Sequence, residues 1–364
     1  MEYIAWFILI ILGGRTFVSL VNLFVRPWLK DAHPKKQPFI SVLIPARNEE
    51  RNIGTLLADL SRQDYPTFEV LVYEDQSEDN TANIVKQFVN DDSRFRDVAG
   101  QPLPEGWNGK NHACYRLAGE AKGDYFLFLD ADVRTGPKLL SKSLADLKKK
   151  KLHLLSIFPK QVIRSFGERI TVPVMNWILV SLLPLPLVRM LKFPSLAAAN
   201  GQFMLFDAET YRQNKWHEQL KAVTVEDIEI ARTMKGQGHR VQTLLGDDDI
   251  RCRMYDSYGE AVEGFSRNIH AYFGNSYLVM VLFVVIVTLG FFPVWASFGG
   301  TGLLVYLGLV IFNRMAVSFA SGQGVLTNVI LAPLQVGALW HMSLKSLKNR
   351  FAGKTSWKGR TIKS

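Results

Sequence analysis

The run Asp130-Ala131-Asp132 sets two carboxylates two residues apart, just after the apolar stretch Tyr125–Leu129. In an extended segment that spacing puts both acids on one side of the chain. Hard oxygen donors so arranged can hold Mg2+ or Mn2+ together with the diphosphate oxygens of a bound nucleotide. A sugar-diphosphate leaving group needs that neutralisation, because charge develops on its oxygens as the bond to the sugar breaks. A solvated acidic turn would read the same way, so the pattern gains meaning only from its surroundings.

Five further stretches supply those surroundings. Pro45-Ala46-Arg47-Asn48-Glu49 closes one apolar run, where Pro45, Arg47 and Glu49 can meet a nucleotide. Glu74-Asp75-Gln76-Ser77-Glu78-Asp79-Asn80-Thr81 closes another. Carboxylates there can accept from a uracil N3–H or ribose hydroxyls, while Ser77 or Asp79 caps a helix. In Trp107-Asn108-Gly109-Lys110-Asn111-His112, Lys110 sits beside a glycine ahead of a helix over 113–121. Helix amides and an ammonium add together at a diphosphate. Thr224-Val225-Glu226-Asp227 precedes the amphipathic positions Ile228, Ile230, Ala231 and Met234. Two acids at a helix start ordinarily cap it; Asp227 is also the candidate base that deprotonates an acceptor hydroxyl opposite the leaving group. Arg267, in Glu263–Asn268, can stabilise the departing diphosphate or serve as a positive charge beside an apolar block.

The elements that must position these residues follow from periodicity. Phe39–Pro45, Phe68–Tyr73 and Tyr125–Leu129 read as buried strands, each ending at the chemistry-bearing residues. A helix carries Ile53, Leu56, Leu57 and Leu60 on one face, with Asn48 and the following acids as its expected cap, and Thr81–Val89 is a second. Strands alternating with helices predict an α/β fold with a mostly parallel sheet and its site at the strands' C-terminal ends.

Apolar blocks flank that domain. The first, about 3–25, contains Arg15 and is long enough to span a membrane. Arg26, Lys30, Lys35 and Lys36 follow it, which marks the cytoplasmic side and predicts an uncleaved anchor over 1–26. A catalytic domain over 38–270 comes next. Within it, 170–192 is apolar but interrupted by Pro173, Pro184 and Pro186, and reads either as an interfacial or re-entrant segment or as a hydrophobic wall on the acceptor side. Membrane helices are expected over 275–344, from apolar stretches at 277–297, 302–320 and 325–343, and a basic cytosolic tail over 345–364. Three further spans would carry that basic tail across the membrane, against the positive-inside rule, so an odd total is expected, with the stretch containing Pro333, Gln335 and His341 re-entrant or interfacial. The formal charge of +10 is concentrated beside the apolar blocks, so anionic lipid head groups explain it better than nucleic acid, and no nucleic-acid partner is expected. Two cysteines make no disulfide framework.

In this order the motifs resemble glycosyltransferase family 2, whose members share the GT-A nucleotide-diphospho-sugar transferase fold. Ser41–Glu50 resembles the opening strand motif, Glu74–Thr81 the acidic nucleotide-binding turn, Asp130–Asp132 the metal motif, and Val225-Glu226-Asp227 the acidic pair containing the base. The resemblance covers roughly residues 39–270. It implies that Asp75 contacts the nucleotide, Asp132 the metal and Asp227 the acceptor, with inversion at the anomeric carbon. Pro45, Arg47, Glu49, Lys110, Asp130 and Arg267 would complete the nucleotide-sugar site. Two departures stand out: Glu74 replaces the usual aspartate, and Glu263–Asn268 keeps only Arg267 of the Q-x-x-R-W motif of processive polysaccharide synthases. The overall plan is most similar to bacterial carotenoid-type lipid glycosyltransferases, and Ser356-Trp357-Lys358-Gly359-Arg360 resembles a Trp-x-x-Arg tail of that group. The implied activity is transfer of a hexose from a UDP-sugar, such as UDP-glucose, to a lipophilic membrane acceptor by a multi-pass protein of the cell membrane with a cytoplasmic catalytic domain. The alternatives are a processive polysaccharide synthase and a non-catalytic membrane scaffold.

Overall fold

The computed structural model describes the backbone of residues 1–352, 355–357 and 360–362, and side chains through residue 351. The side chains of the Ser356–Arg360 tail motif lie outside the described residues. The chain divides into two compact units, one of Trp28–Lys160 and Leu187–Arg253, the other of Met1–Pro27, Gln161–Pro186 and Met254–Ser364. Residues 161–186 and 254–270 group with the terminal helices.

The first unit is built on a seven-stranded sheet. Its strands are β1 (Ile40–Ala46), β2 (Phe68–Glu74), β3 (Phe95–Ala99), β4 (Tyr125–Leu129), β6 (Leu154–Phe158), β8 (Phe203–Asp207) and β9 (Val241–Leu245), in the order β3-β2-β1-β4-β8-β6-β9. The shorter strands β5 (Val133–Thr135), β7 (Lys160–Gln161) and β10 (Ile250–Cys252) lie outside that sheet. Strands β1 to β4 are parallel, as are β6 and β9. β8 runs antiparallel to both of its neighbours, β4 and β6. The predicted α/β sheet is therefore mostly parallel, with one reversed strand that helical alternation did not reveal. Its central strands are almost continuously apolar and buried, Val42, Leu43 and Ile44 in β1 and Phe126 to Leu129 in β4, as strands covered on both faces require. Pro45 is tolerated in central β1 because pairing with β4 has already ended at Leu43, opposite Phe128.

Two consequences of this order position the site. Strand order reverses between β1 and β4, and open α/β sheets bind ligands in the crevice beyond the carboxyl ends of strands at such a reversal. Because β8 is reversed, the loop that enters it lies at that same edge, where the Asp130 N–H donates to the Gln202 carbonyl at 3.3 Å.

At the opposite edge a buried polar network locks β1, β2 and β4 together. The Ser41 hydroxyl donates to Glu69 at 2.6 Å and accepts from the Gly123 N–H at 2.8 Å. Glu69 also accepts from the Lys122 N–H and pairs with Arg96 at 3.2 Å. Hence no side chain fits at Gly123, where a Cβ would stand 2.6 Å from the Ser41 nitrogen.

In the second unit, the helix Glu2–Val25 and the stretch Tyr277–Ala320 are long and apolar enough to cross a membrane. Tyr277–Ala320 comprises the helices Tyr277–Leu289 and Phe291–Ala320, the latter broken at Gly299, whose φ of 60° suits glycine. The expected stretch 325–343 is instead a short helix, Val325–Ile330, followed by Ala332–Ala352, which runs on through Lys345, Lys348 and Arg350. Residues 170–192 fall mostly on a helix, Phe166–Leu182, opened by a Ser165/Glu168 capping box and carrying Pro173 inside it. Proline cannot donate to the carbonyl four residues back, and the Gln335 side chain donates to that Arg169 carbonyl instead, at 3.0 Å. Asn22 closes the other end, donating to the Val180 and Leu183 carbonyls and accepting from the Leu185 N–H.

Gly123→Ala is expected to destabilise the sheet unit by about 1–3 kcal/mol through overpacking. Gly119→Ala, on an open helix position, should be neutral or gain about 0.5–1 kcal/mol. Thermal unfolding of the two purified variants against the parent checks both.

Candidate active site

The loops after β1 and β2 are fastened to each other. Asn48 and Gln76 both take left-handed backbone conformations, φ 53° and 54°. The Asn48 side chain accepts from the Glu78 N–H at 2.9 Å, while its own N–H reaches the Ser77 hydroxyl. The Glu49 N–H donates to Thr81, Glu50 N–H to Asp79, and Asn80 N–H to Glu50. Asn48 therefore does not cap the following helix, Ile53–Ser61, whose N-cap is Asn52. Its side chain is needed by the neighbouring loop, which sequence proximity could not indicate. Arg47 donates to the Asp75 carbonyl at 2.6 Å, and Asp75 is only 4% exposed. Arg47, Glu49 and Asp75 thus share one interlocked pair of loops at the end of β1 and β2, with Pro45 opposite Tyr73 just below.

Lys110 gathers the acids. It stands in the first turn of the helix Gly109–Glu120, where the Asn108 side chain caps its N–H at 3.0 Å. The helix begins at Gly109 rather than at Ala113, so its free amides lie beside the lysine. The Lys110 ammonium meets Asp130 at 2.8 Å and Glu226 at 3.3 Å. Glu226 and Asp227 begin the helix Glu226–Gly236 without a side-chain cap at its N-cap, Val225. The helix Gly109–Glu120 also holds the segment leading to them: Asn111 donates to the Leu220 and Val223 carbonyls, and the Asn108 N–H to the Lys221 carbonyl. Asp227 accepts the Gly201 N–H on one oxygen and the Ile228 N–H on the other, each at 2.8 Å. A carboxylate offers about four lone-pair sites, so both oxygens keep capacity for another donor. A Cβ at Gly201 would stand 2.7 Å from the Lys110 nitrogen, so a larger residue there would displace the ammonium.

The electrostatics follow from this crowding. Burial raises the Glu226 carboxyl against the pull of Lys110, and Asp227 raises it further. Burial likewise raises Asp227, opposed by Lys110 and the two backbone N–H groups. For Lys110 burial acts downward, but Asp130 and Glu226 outweigh it and hold the ammonium firmly protonated.

Asp132 lies next to this cluster, and Lys110 and the Cys252 thiol relieve it only in part. Burial, then the charges of Asp130 and Glu49, push its carboxyl up to about 7. The Cys252 thiol hydrogen-bonds it, and the Gln202 amide reaches it only at 3.3 and 3.4 Å while donating more closely to the Cys252 sulfur at 2.8 Å. The Gln202 amide oxygen is buried without a partner. An acid destabilised by like charges, beside an orphaned neutral oxygen, has the chemistry of a site for a hard divalent cation. Among the described residues no three His, Cys, Asp or Glu side chains are grouped to hold an ion unaided. That composition suits Mg2+-type binding, in which one or two carboxylates act together with substrate phosphates and water.

The predicted residues Pro45, Arg47, Glu49, Asp75, Lys110, Asp130, Asp132 and Asp227 all belong to the sheet unit. Arg267 belongs to the other unit, on the helix Tyr258–Asn268, 3.9 Å from Glu263. Sequence reasoning missed Glu226 as a partner of Lys110, and missed Gly201, Gln202 and Cys252 altogether. Only the glycine in Asn200-Gly201-Gln202 offered a signal, as a break before an apolar strand.

Residues 41–211 match the family model described as glycosyl transferase family 2. A 4,4'-diaponeurosporenoate glycosyltransferase of Staphylococcus haemolyticus is 24% identical over 269 residues, 70% of this chain and 68% of that protein. A protein of the same name from Staphylococcus aureus is 28% identical over 240 residues, 63% of this chain and 60% of its own length. Among solved structures, a mannosyltransferase from Pyrobaculum calidifontis, in complex with GDP-Man and Mn2+, matches with a TM-score of 0.54 at 18% identity. That match covers 94% of this chain and 99% of the other, and it shows a common fold, GT-A.

Cys114 and Cys252, 1% and 0% exposed, have thiols raised by burial. Neither should react with a maleimide at neutral pH in the folded protein, and both should react in denaturant. Mass spectrometry of the labelled protein tests this burial directly.

Proposed function

We propose that the glycosyl transferase family 2 domain of this chain transfers a hexose from a UDP-sugar, UDP-glucose being the first to test, to a lipophilic acceptor at a membrane. The observation that carries this reading is the convergence of acids from two separate chain segments, Asp130 and Glu226, on Lys110 in the first turn of a helix. A diphosphate is the ligand such an ammonium and helix terminus suit best. Glu49 and Asp75, with Arg47 bracing their loops, line the nucleoside end. Asp132 would hold a divalent cation, Mg2+ or Mn2+, which when bound supplies neutralising charge for the leaving diphosphate.

In this reading Lys110 trades part of its contact with Asp130 for the incoming phosphates, and Asp130 turns towards the sugar. Asp227, raised by burial and fixed by two backbone N–H groups, accepts the acceptor's hydroxyl proton as the oxygen attacks the anomeric carbon. The bond to the UDP oxygen breaks on the opposite face, so configuration inverts. Glu2–Val25 and Tyr277–Ala320 anchor the protein in the cell membrane, and the basic run Arg26, Lys30, Lys35 and Lys36 favours a cytoplasmic catalytic domain. The relatives are diaponeurosporenoate glycosyltransferases by name, which makes a lipophilic carboxylate one acceptor to try.

The test follows labelled UDP-glucose into the lipid fraction of membranes carrying the protein, with Mn2+ present. Asp132→Asn should lower transfer about a hundredfold or more. Asp227→Asn should cost about 10²–10⁴-fold with an alcohol acceptor. With a carboxylic acid, already ionised, Asp227→Asn should cost far less while Asp132→Asn keeps its full effect. Parental rates in both variants would remove the assignment.

A further inference from the structure

The helical unit holds a partly open cavity of about 460 Å³, inside the range of roughly 300–1,000 Å³ usual for small-ligand sites. Its wall is apolar, including Ile8, Leu12 and Val310, but Arg15 and Arg314 also line it. Both arginines are buried, at 7% and 3% exposure, and both stand on helices otherwise apolar enough to cross a membrane. A guanidinium stays charged under all ordinary conditions and carries five donors.

The protein satisfies these donors only in part, and with neutral groups. Arg15 donates from Nε and Nη2 to the Ser181 hydroxyl, at 3.3 and 2.9 Å. Arg314 donates from Nη1 to the Gln335 amide oxygen at 2.6 Å, while its Nε is buried without a partner. Among the described residues neither forms an ion pair with a carboxylate. Both guanidiniums instead lie on one indole, Trp177, at 4.5 and 3.6 Å from its centroid. That ring is itself fixed by Asn313, which accepts from its N–H at 2.8 Å. Charged groups in membrane segments ordinarily pair or mark a ligand path. Two positive charges on one aromatic ring, with no acid among the described residues paired to them, leave a place for an anion.

We propose that this cavity binds the anionic head, carboxylate or phosphate, of a long-chain amphiphile. The head group sits on Arg15 and Arg314, and the chain lies along the apolar wall. The site is independent of the glycosyl-transfer reading, because it is built wholly from the helical unit.

The full-length protein in phosphatidylcholine nanodiscs should bind radiolabelled palmitate saturably. Dodecyl phosphate should compete, and methyl palmitate should compete about tenfold or more less well, a difference of about 1.4 kcal/mol. Arg15→Gln and Arg314→Gln should each weaken palmitate binding about tenfold or more. Val310→Trp, which fills the cavity and leaves the arginines intact, should block it, so misfolding of an arginine variant does not leave the question open. Adding phosphatidylglycerol separates the sources: displacement of palmitate identifies a bilayer phospholipid as the natural occupant, and no displacement a single-chain acid. Equal competition by palmitate and methyl palmitate, or undiminished binding by both Arg314→Gln and Val310→Trp, would overturn the proposal.

Discussion

The arrangement of the catalytic end depends on the ammonium of Lys110, set among acids that would otherwise repel one another. Asp130 comes from the end of β4 and Glu226 from a helix start almost a hundred residues later, and both meet the same nitrogen. Asp227 is held beside them by the Gly201 N–H. Removing the cation would leave the acids crowded with no compensating charge, and breaking a half-buried pair of this kind costs far more than its net contribution suggests. The arrangement leaves Asp132 only partly compensated, since the closest contacts of Lys110 are with Asp130 and Glu226. Its raised carboxyl is what makes a second positive charge there favourable.

This constraint explains the architecture around it. The helix Gly109–Glu120 must begin early enough for Lys110 to stand in its first turn, and the Asn108 cap fixes that start. The same helix holds the 220–223 segment through Asn108 and Asn111, which sets the position of Glu226. The reversed strand β8 brings the loop Asn200-Gly201-Gln202 to the carboxyl ends of β1 and β4, so that one loop contacts both Asp227 and Asp132.

Much of this is legible in the amino-acid sequence. Strands leading to Glu49, Asp75 and Asp130 can be read because buried parallel strands are short apolar runs, and the loops after them carry the polar residues. The motif order then points to the family. What stays hidden has a common cause. Glu226 and Lys110 are 116 positions apart, Gln202 and Cys252 fifty, and no local periodicity encodes such pairings. The reversal of β8 is equally silent, because a five-residue apolar strand looks the same in either direction. Asn48 looks like a helix cap because its neighbours are acids, yet its partner is the loop after β2. In the helical unit, apolar composition announces the helices, while the sharing of Trp177 by Arg15 and Arg314 requires three separate segments to be assembled first.

In the proposed mechanism Asp132 and Lys110 together receive a metal-bound nucleoside diphosphate. Crystals grown with UDP and Mn2+, measured for anomalous scattering at the manganese edge, test this most directly. A manganese peak is expected within about 2.0–2.6 Å of an Asp132 oxygen, the range for oxygen-ligated divalent cations. The diphosphate is expected to contact the Lys110 ammonium in the same crystals. UDP bound with no manganese at Asp132, or with its phosphates away from Lys110, would contradict the mechanism.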